Sequence, residues 1–275
     1  MSNSETFNLK AIWALPNDDL RKIVAVALVV CFFCAALVSA TVVALRPLQQ
    51  HNQAAFRAKN IVEVAGLWQP GSPTSPAEAL KSLEQVWVEL GTGRVLDTPP
   101  PLPADPQKIA RDPNWSQPLA RSEDPARIKR LPKVMPVYLK RDANGKVTVI
   151  VLPIHGSGLW STMWGFLALE GDGTTIRGLK FYQQAETPGL GGEVENPKWR
   201  ALWHGKRAFD EQGQVAIHVV KGRVDPNTPE AQFAVDGLAG ATLTSKGVDQ
   251  TVRFWLSERA YGPFLQSLRS KGDGQ

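Results

Sequence analysis

The sequence predicts an α+β protein, in which one N-terminal transmembrane helix precedes a domain built on a mainly antiparallel sheet with flanking helices. Three observations lead to this prediction. An uncharged apolar run occupies residues 23–45, alternating β-branched segments separated by short turns begin at residue 134, and helical spacing of apolar residues returns near the C-terminus. The 275 residues are enough for one or two domains with a sizeable core.

The apolar run Ile23–Leu45 predicts a membrane-spanning helix. As a helix it would be roughly 35 Å long, which exceeds a hydrocarbon core of about 30 Å. Basic residues flank both of its ends: Arg21, Lys22 and Arg46. The alternative is a cleaved signal peptide, because Val38 and Ala40 are small residues in a cleavage-like arrangement. The length of the run favours the anchor, whereas the nearly equal numbers of basic residues on its two sides do not give an orientation.

Charge and cysteine content narrow the class of protein. The net charge of +5 is small for this length, and the basic residues alternate with acidic ones, so a nucleic-acid partner is not expected. Both cysteines, Cys31 and Cys34, lie in the apolar run, and the rest of the sequence has none, which suits an oxidising compartment. The two thiols share one helix face. Ordinary packing is the favoured interpretation, and metal ligation with a partner helix is the alternative.

Two segments lie between the apolar run and the strand-rich region. Ala77–Leu90 has apolar residues at helical spacing and predicts an amphipathic helix, within a helical segment assigned to residues 46–96. Residues 97–133 form a Pro-rich connector, because ten prolines fall between Pro99 and Pro136 without a sustained apolar period. Such a segment is either a linker or a wrap over another surface.

The strand-rich region predicts a hairpin from Val134–Lys140 and Lys146–Leu152, which flank the turn sequence DANG. Asn196-Pro197 has the form of a helix start, and Thr244–Arg259 has the apolar spacing of a longer helix, which resumes after Pro263. Three further strands are predicted: Ser161–Leu169, Thr175–Gln183 and Gln214–Val220.

Three glycine-rich clusters are the candidates for a functional site. His155–Trp160 (HGSGLW) and Gly189–Gly192 (GLGG) lack the third glycine and the strand-to-helix setting of a dinucleotide fingerprint, and no P-loop sequence occurs. The chain also has no GxSxG motif, and its four histidines lack metal-ligand spacing, so neither a serine hydrolase nor a zinc site is expected.

The third cluster, Asp236–Ser245 (DGLAGATLTS), connects a strand to a helix. Thr244 or Ser245 is the expected helix cap. Thr242 therefore lies close to a helix N-terminus, where free backbone N–H groups and the helix dipole favour an anion. A phosphate attached to its hydroxyl would be well placed.

The residues DGLAGAT, ending at Thr242, resemble the flavinylation motif of the FMN-binding domain family. In that family a flavin transferase joins FMN to the final threonine through a phosphodiester. The resemblance implies that Thr242 is the covalent FMN acceptor. It also implies that Asp236, Gly240 and Ala241 belong to the signature that the transferase reads, with Asp236 helping to coordinate the metal of that enzyme. Ala239 departs from the serine that the family often has at this position.

Three long motifs on a chain with one N-terminal span together resemble the family of C subunits of the Na+-translocating NADH:quinone reductases. The motifs are HGSGLWSTMWGFLALE, AETPGLGGEVENPKW and DGLAGATLTSKGV. The resemblance implies a bacterial inner-membrane protein whose soluble part is periplasmic. The implied order is a cytoplasmic tail at residues 1–22, the transmembrane helix at 23–45, an extracytoplasmic helical segment at 46–96, the connector at 97–133, an FMN-binding domain at 134–270 and a tail at 271–275.

The same resemblance implies electron transfer through covalent FMN between other subunits, during NADH oxidation, ubiquinone reduction and Na+ export. The expected partners are those subunits, a flavin transferase and the lipid bilayer, and no residue of this chain is expected to be catalytic. Glu186 is either a surface carboxylate or a hydrogen-bond acceptor beside the flavin. The residues expected to wall the flavin are His155, Gly158, Leu159, Trp160, Glu186, Thr187, Gly189, Leu190 and Gly191.

Two other functions fit parts of the sequence. The related flavin-bearing G subunits of ferredoxin:NAD oxidoreductase complexes share the threonine signature and a single span. A membrane-tethered adaptor without a redox role would use the Pro-rich connector to bind a partner and would carry no chromophore.

Overall fold

The computed structural model describes residues 13–272, with side chains described through Ser270. The chain divides into two compact units, with the boundary between Ala55 and Phe56. Residues 1–12 of the expected N-terminal tail and residues 273–275 of the expected C-terminal tail lie outside the described residues.

The secondary structure follows the predicted α+β class. The helices are α1 (Leu20–Val64), α2 (Pro76–Leu80), α3 (Pro106–Arg111), α4 (Pro197–Ala201), α5 (Thr242–Leu256) and α6 (Gly262–Gly272). The strands are β1 (Glu84–Glu89), β2 (Ser116–Pro118), β3 (Arg130–Pro132), β4 (Val134–Arg141), β5 (Val147–Ser157), β6 (Thr162–Glu170), β7 (Ile176–Gln183), β8 (His218–Val219) and β9 (Ala234–Val235).

Helix α1 contains the whole apolar run Ile23–Leu45 and continues through Pro47. Its apolar part is not buried against any described residue, and within residues 13–272 it is the one helix long and apolar enough to cross a membrane. The prediction of one N-terminal apolar helix is confirmed. The last turns of α1, from Phe56 onward, belong to the second unit.

The second unit is built on a five-stranded antiparallel sheet with the strand order β1-β4-β5-β6-β7. Central pairs include Leu152 with Leu167 and Leu167 with Leu179. The predicted hairpin and the predicted strands at Ser161–Leu169 and Thr175–Gln183 are therefore confirmed, with some of their ends shifted. Short strands pair outside this sheet, β2 with β3 antiparallel and β8 with β9 parallel.

Both faces of the sheet are covered, which explains why its strands have long apolar runs. On one face, Val151, Phe166 and Ala168 pack against Ile61 and Val62 from the end of α1. The opposite face packs against helix α5 and the connector, and its core includes Ile150, Leu152, Leu167, Val248, Val252 and Trp255. Alternate residues along β5 and β6 thus enter two different cores.

The helix predicted over Ala77–Leu90 is wrong beyond Leu80. A capping box at Ser75 starts α2, which ends after five residues, and the rest of the segment forms β1. Pairing with β4 buries Trp87 and Val88 there. Short apolar runs fit helical and strand spacing alike, so the non-local pairing decides between them.

The Pro-rich connector packs over the sheet and does not act as a free linker. It contains α3, β2 and β3, and it places Ile109, Ile128 and Leu131 in the core. The strand predicted at Gln214–Val220 is mostly wrong, because only His218–Val219 forms a strand, while Val215 makes an isolated bridge to Phe209.

A half-buried ion cluster joins the end of α1 to the sheet, and we expect it to contribute measurably to stability. Glu63 accepts from Lys180 at 2.5 Å and from Arg200 at 3.3 Å. Burial on its own would raise the pKa of Glu63, but hydrogen bonds and charges from Lys180 and Arg200 lower the pKa overall. Glu63→Gln should therefore lower the free energy of unfolding by about 1–2 kcal/mol at neutral pH, measured by urea unfolding of the full chain in detergent.

The pH dependence and a surface pair test this interpretation. Because the pKa of Glu63 is lowered in the folded state, its contribution is present above the unfolded-state pKa and is lost as pH falls through the folded-state pKa. Glu84→Gln is the matched control, since Glu84 pairs with Arg141 at 2.7 Å in an exposed position and should change stability by less than about 1 kcal/mol. Equal effects of the two substitutions at neutral pH would contradict the prediction.

Candidate functional site

The three glycine-rich clusters meet at one cavity of about 220 Å³. One wall is the connection between β5 and β6, a second is the segment after β7, and the third is the connection from β9 into α5. The lining residues are Leu159, Trp160, Glu186, Thr187, Leu190, Gly191, Gly240, Ala241, Thr242, Leu243 and Thr244.

Glu186 joins all three walls. Its carboxylate accepts from three consecutive backbone N–H groups, those of Leu159 at 2.9 Å, Trp160 at 3.0 Å and Ser161 at 3.1 Å. The Ser161 hydroxyl donates to it at 3.1 Å, and the Thr244 hydroxyl of α5 donates at 2.7 Å. Five donors from two distant segments therefore converge on one carboxylate. Glu186 thus hydrogen-bonds the loops around the cavity to one another.

The ionisation of Glu186 follows from these contacts. The residue is only 5% exposed, and burial on its own would raise the pKa of the carboxyl group. Hydrogen bonds from Thr244, from the N–H groups of Leu159 and Trp160, and from Ser161 outweigh burial, so that the pKa of Glu186 is lowered. Glu186 is therefore an ionised, hydrogen-bonded carboxylate at neutral pH rather than a free surface acid.

Two glycines make this convergence sterically feasible. A Cβ atom at Gly158 would lie 2.5 Å from Glu186 Oε1, and one at Gly191 would lie 2.5 Å from Thr244 Oγ1. Gly240 has φ of 70°, a left-handed conformation that suits glycine, where the chain turns into α5. The glycines of the clusters thus allow close packing around Glu186 and allow the turn that leads into α5.

Gly191→Ala is expected to destabilise the cavity walls. The added methyl group would meet Thr244 Oγ1 at 2.5 Å and Glu186 Cβ at 2.9 Å, so the segments must move apart. We expect a loss of about 1–3 kcal/mol in the free energy of unfolding, measured with denaturant. The control is Gly192→Ala, whose nearest contact, Thr187 O, would lie at 3.2 Å, and a larger loss for this variant than for Gly191→Ala would contradict the prediction.

Thr242 is the first residue of α5, and its side chain is exposed. The first intrahelical bond runs from Ser245 N–H to Ala241 O, so the N–H groups of Thr242, Leu243 and Thr244 precede the hydrogen-bonded ladder. The position therefore combines an accessible hydroxyl with the partial positive charge of a helix N-terminus.

The neighbouring hydroxyls of α5 are buried and already used. Thr244 Oγ1 donates to Glu186, and Ser245 Oγ accepts from Leu238 N–H at 2.9 Å. The expectation that Thr244 or Ser245 caps the helix is wrong, because the cap residue is Ala241, which makes no side-chain capping bond. The helix starts earlier than expected, since Gly240 provides the turn, while Thr244 bonds to Glu186 and Ser245 bonds to Leu238 in the connection before the helix.

Apolar side chains surround the exposed hydroxyl. Four of them are unusually accessible for their size: Leu159, Trp160, Leu190 and Leu243. Trp160 is 71% exposed and Leu243 is 56% exposed. An apolar rim with a few polar groups is typical of a small-molecule site.

Nine of the residues expected at the site line the cavity, and four do not. Gly158 packs behind Glu186, and Gly189 lies in the turn before Gly191. The carboxylate of Asp236 accepts from Val224 N–H at 2.9 Å and thereby holds the preceding loop. The roles expected for these residues and for His155 stay predictions. The nine that line the cavity are Leu159, Trp160, Glu186, Thr187, Leu190, Gly191, Gly240, Ala241 and Thr242.

His155 lies in the core beneath this region. Its ring stacks on Trp164 with centroids 4.1 Å apart, and its carbonyl oxygen accepts from Trp255 Nε1 at 2.6 Å. Burial, with a smaller contribution from the charge of Arg111, lowers the pKa of His155 to about 3, so the ring is neutral.

Sequence reasoning missed Ser161, Leu243 and the site role of Thr244. Ser161 follows the HGSGLW cluster directly, and Leu243 and Thr244 follow the threonine signature directly. Proximity to a motif was the available signal, but the hydrogen bonds that bring Ser161 and Thr244 to Glu186 span 25 and 58 residues of sequence.

Comparison with known proteins gives consistent matches. A family model described as FMN-binding domain matches residues 158–257. A Pseudomonas aeruginosa protein, named as a Na(+)-translocating NADH-quinone reductase C subunit, is 46% identical over 259 residues, which cover 94% of this chain and 98% of that protein. A Yersinia pestis protein of the same name is 43% identical, with 92% and 94% covered. The crystal structure of Shewanella oneidensis NqrC superposes with a TM-score of 0.69 at 32% identity, and 78% of this chain and 96% of that chain are covered.

Proposed function

The chain belongs to the NqrC family, the C subunits of Na+-translocating NADH-quinone reductases, and from this premise we propose that it carries FMN covalently on Thr242. In this proposal it transfers electrons between other subunits during NADH oxidation, ubiquinone reduction and Na+ export. The observation that carries the proposal is the exposure of Thr242 at the start of α5, beside buried and hydrogen-bonded Thr244 and Ser245.

The attachment step uses the hydroxyl of Thr242 as the nucleophile. Its oxygen forms a bond to the FMN phosphorus of an activated flavin nucleotide, the bond from that phosphorus to the leaving nucleotide breaks, and the hydroxyl proton goes to a base of the flavin transferase. The product is a phosphodiester. An exposed acceptor is required because the transferase must reach the oxygen, and the small neighbours Gly240 and Ala241 leave room for it.

The chemistry of the cavity walls suits such a group. The N–H groups of the first turn of α5, which precede the hydrogen-bonded ladder, would face the phosphodiester, which carries one negative charge. The apolar rim of Leu159, Trp160, Leu190 and Leu243 would contact the ring system. When bound, FMN supplies the electron-transfer chemistry, while the protein supplies attachment, apolar contact and a fixed charge at Glu186.

The size of the cavity suits a carrier. Its volume of about 220 Å³ lies below the roughly 300–1,000 Å³ of pockets that enclose drug-sized ligands. A group larger than the cavity stays partly accessible, and an accessible ring can exchange electrons with a donor and an acceptor in turn. Because the flavin supplies the electron-transfer chemistry, no side chain of the chain is needed as a general acid, base or nucleophile in turnover.

The membrane arrangement is part of the same proposal. Helix α1 would anchor the chain in the bacterial inner membrane with residues after the span on the periplasmic side. The absence of cysteine from the sequence after Cys34 supports an oxidising compartment. A covalent link would keep FMN from dissociating there, and the partners would be the other subunits, the lipid bilayer and, during maturation, the flavin transferase.

The direct test is co-expression of the full chain with a flavin transferase, followed by a denaturing gel viewed for flavin fluorescence. We expect fluorescence in the band of the chain, and none when the transferase is omitted. A dark band despite a transferase that labels a known substrate would overturn the proposal and would favour the adaptor alternative. Recovery of the labelled chain with a ferredoxin-linked complex and no NADH:quinone activity would favour the ferredoxin:NAD oxidoreductase alternative.

A further inference from the structure

A second cavity, of about 570 Å³, lies between the β6–β7 turn and helix α6. None of its lining residues lines the cavity at Thr242. They are Lys146, Gly171, Asp172, Thr174, Thr175, Arg207, Leu268 and Arg269. Three cationic side chains and one carboxylate therefore face one space, which the proposed flavin site does not use.

The arginines of this cavity differ from the other half-buried arginines of the described chain. Six arginines are half-buried. Four of them make side-chain hydrogen bonds or ion pairs: Arg57, Arg130, Arg177 and Arg200. The other two are Arg207 and Arg269. Within residues 13–270, their guanidinium groups make neither a hydrogen bond nor an ion pair, and both residues line the second cavity. The N–H groups of these two arginines, which face the cavity, are therefore available to an acceptor from outside the chain.

Arg269 is held in place without a hydrogen-bond acceptor from the described residues. Its guanidinium group lies over the ring of Phe209 at 4.1 Å, and its aliphatic part packs against the turn at Gly173. Burial lowers the pKa of Arg269, and the negative charges of Glu258 and Asp172, which act to raise the pKa, do not offset this shift. Stacking fixes the plane of the guanidinium group, and no residue of the described chain accepts from its N–H edge, which is a preorganised arrangement for an oxyanion.

The one carboxylate of the cavity does not neutralise these cations at contact distance. Asp172 accepts from the N–H groups of Thr174 and Thr175, both at 2.8 Å, and from the Thr175 hydroxyl at 2.5 Å. Its hydrogen bonds thus hold the turn between β6 and β7. No ion pair within 4.0 Å joins Asp172 to Arg207 or Arg269 in the described chain, so the cavity keeps an excess of positive charge.

We propose that this cavity is a phosphate-binding site in which Arg207 and Arg269 bind the oxygens of a phosphate group and Lys146 adds charge at the rim. Two guanidinium forks match the tetrahedral oxygens of phosphate in a way that a single ammonium group does not. The phosphate group comes either from a free phosphorylated solute or from the headgroup of an anionic lipid. The site is independent of flavin attachment at Thr242.

The test uses the full chain in micelles of a neutral detergent, with inorganic phosphate as the probe. Calorimetric titration at constant ionic strength, with chloride as the balancing anion, should show saturable binding to the wild type. Arg207→Gln and Arg269→Gln should each raise the dissociation constant at least about tenfold. Arg121→Gln is the matched control, because it removes the same charge from an exposed position outside the cavity and should change the constant by less than about twofold.

Arg207→Gln is the decisive variant, because Arg207, unlike Arg269, stacks on no aromatic ring among the described residues, so its loss should disturb the fold less. Absence of saturable phosphate binding to the wild type, or equal affinities of Arg207→Gln and Arg121→Gln, would overturn the proposal. Bilayer discs distinguish the two sources. If a lipid headgroup occupies the site, phosphate binds more weakly in phosphatidylglycerol discs than in discs with the same negative surface charge on a lipid without phosphate, and if the ligand is a free solute, the two discs give the same affinity.

Discussion

Thr242→Val, co-expressed with a flavin transferase, is expected to show no flavin fluorescence in a denaturing gel. Valine keeps the shape of threonine but has no hydroxyl oxygen to form the phosphodiester. Thr242 is the first residue of α5 and makes no capping bond from its side chain, so the substitution should leave the fold intact. The expected effect is complete loss of covalent flavin, checked by fluorescence and by the mass of the intact chain.

Three control variants locate the acceptor. Thr242→Ser keeps a hydroxyl at the same atom position and should keep the flavin. Thr187→Val removes the other exposed threonine hydroxyl of the cavity, and Thr244→Val removes the buried one that donates to Glu186. Both should be flavinylated at the same site, with a lower yield for Thr244→Val because it loosens the contact with Glu186. Flavin retained in Thr242→Val would contradict the assignment, and peptide mapping would then identify the actual acceptor.

The parts of the fold that the sequence predicts are those that local pattern determines. DANG between two β-branched runs gives the β4–β5 hairpin, and Asn196-Pro197 gives the start of α4, where Asn196 caps Lys198 N–H at 2.9 Å. The apolar run gives α1. In each of these cases the residues that make the structure are neighbours in sequence, so spacing and turn chemistry are sufficient.

The errors share a different cause, which is pairing over long sequence separations. Trp87 fits a helical period until β4 offers it a strand partner at Pro136. The Pro-rich connector has no period, yet Ile109 and Leu131 enter the core because the surrounding sheet provides an apolar surface for them. Local composition contains no information about the partner strand, and the partner decides the structure.

The same limit applies to the site. The glycine clusters are identifiable as sequence motifs. The sequence does not show that they meet at Glu186, because a surface carboxylate is an equally good interpretation of that residue. The structure distinguishes these roles through the Leu159, Trp160 and Ser161 N–H groups, which all point to one carboxylate. The loops that carry the flavin motif thus contain an internal anion site, filled by the chain's own side chain.

Glu186→Ala is expected to lower the free energy of unfolding by about 2–4 kcal/mol, because it leaves five donors around a largely buried position without their acceptor. Denaturant unfolding of the full chain in detergent measures the loss. Glu195→Ala is the matched control, since Glu195 is exposed and accepts a single hydrogen bond, from Gln184 at 3.0 Å. Its effect should stay within about 0.5 kcal/mol.

The pH dependence of stability separates the contribution of the charge of Glu186 from the contribution of its packing. The folded-state pKa of Glu186 is lowered, so its stabilising contribution is present above the unfolded-state pKa, about 4.3, and is lost as pH falls through the folded-state pKa. The stability gap between wild type and Glu186→Gln should therefore narrow below about pH 4 and stay constant between about pH 6 and 8. A gap that is independent of pH down to acid unfolding would mean that Glu186 acts by packing alone. In that case the three walls of the cavity would be held by shape, and flavin attachment at Thr242 would tolerate Glu186→Gln.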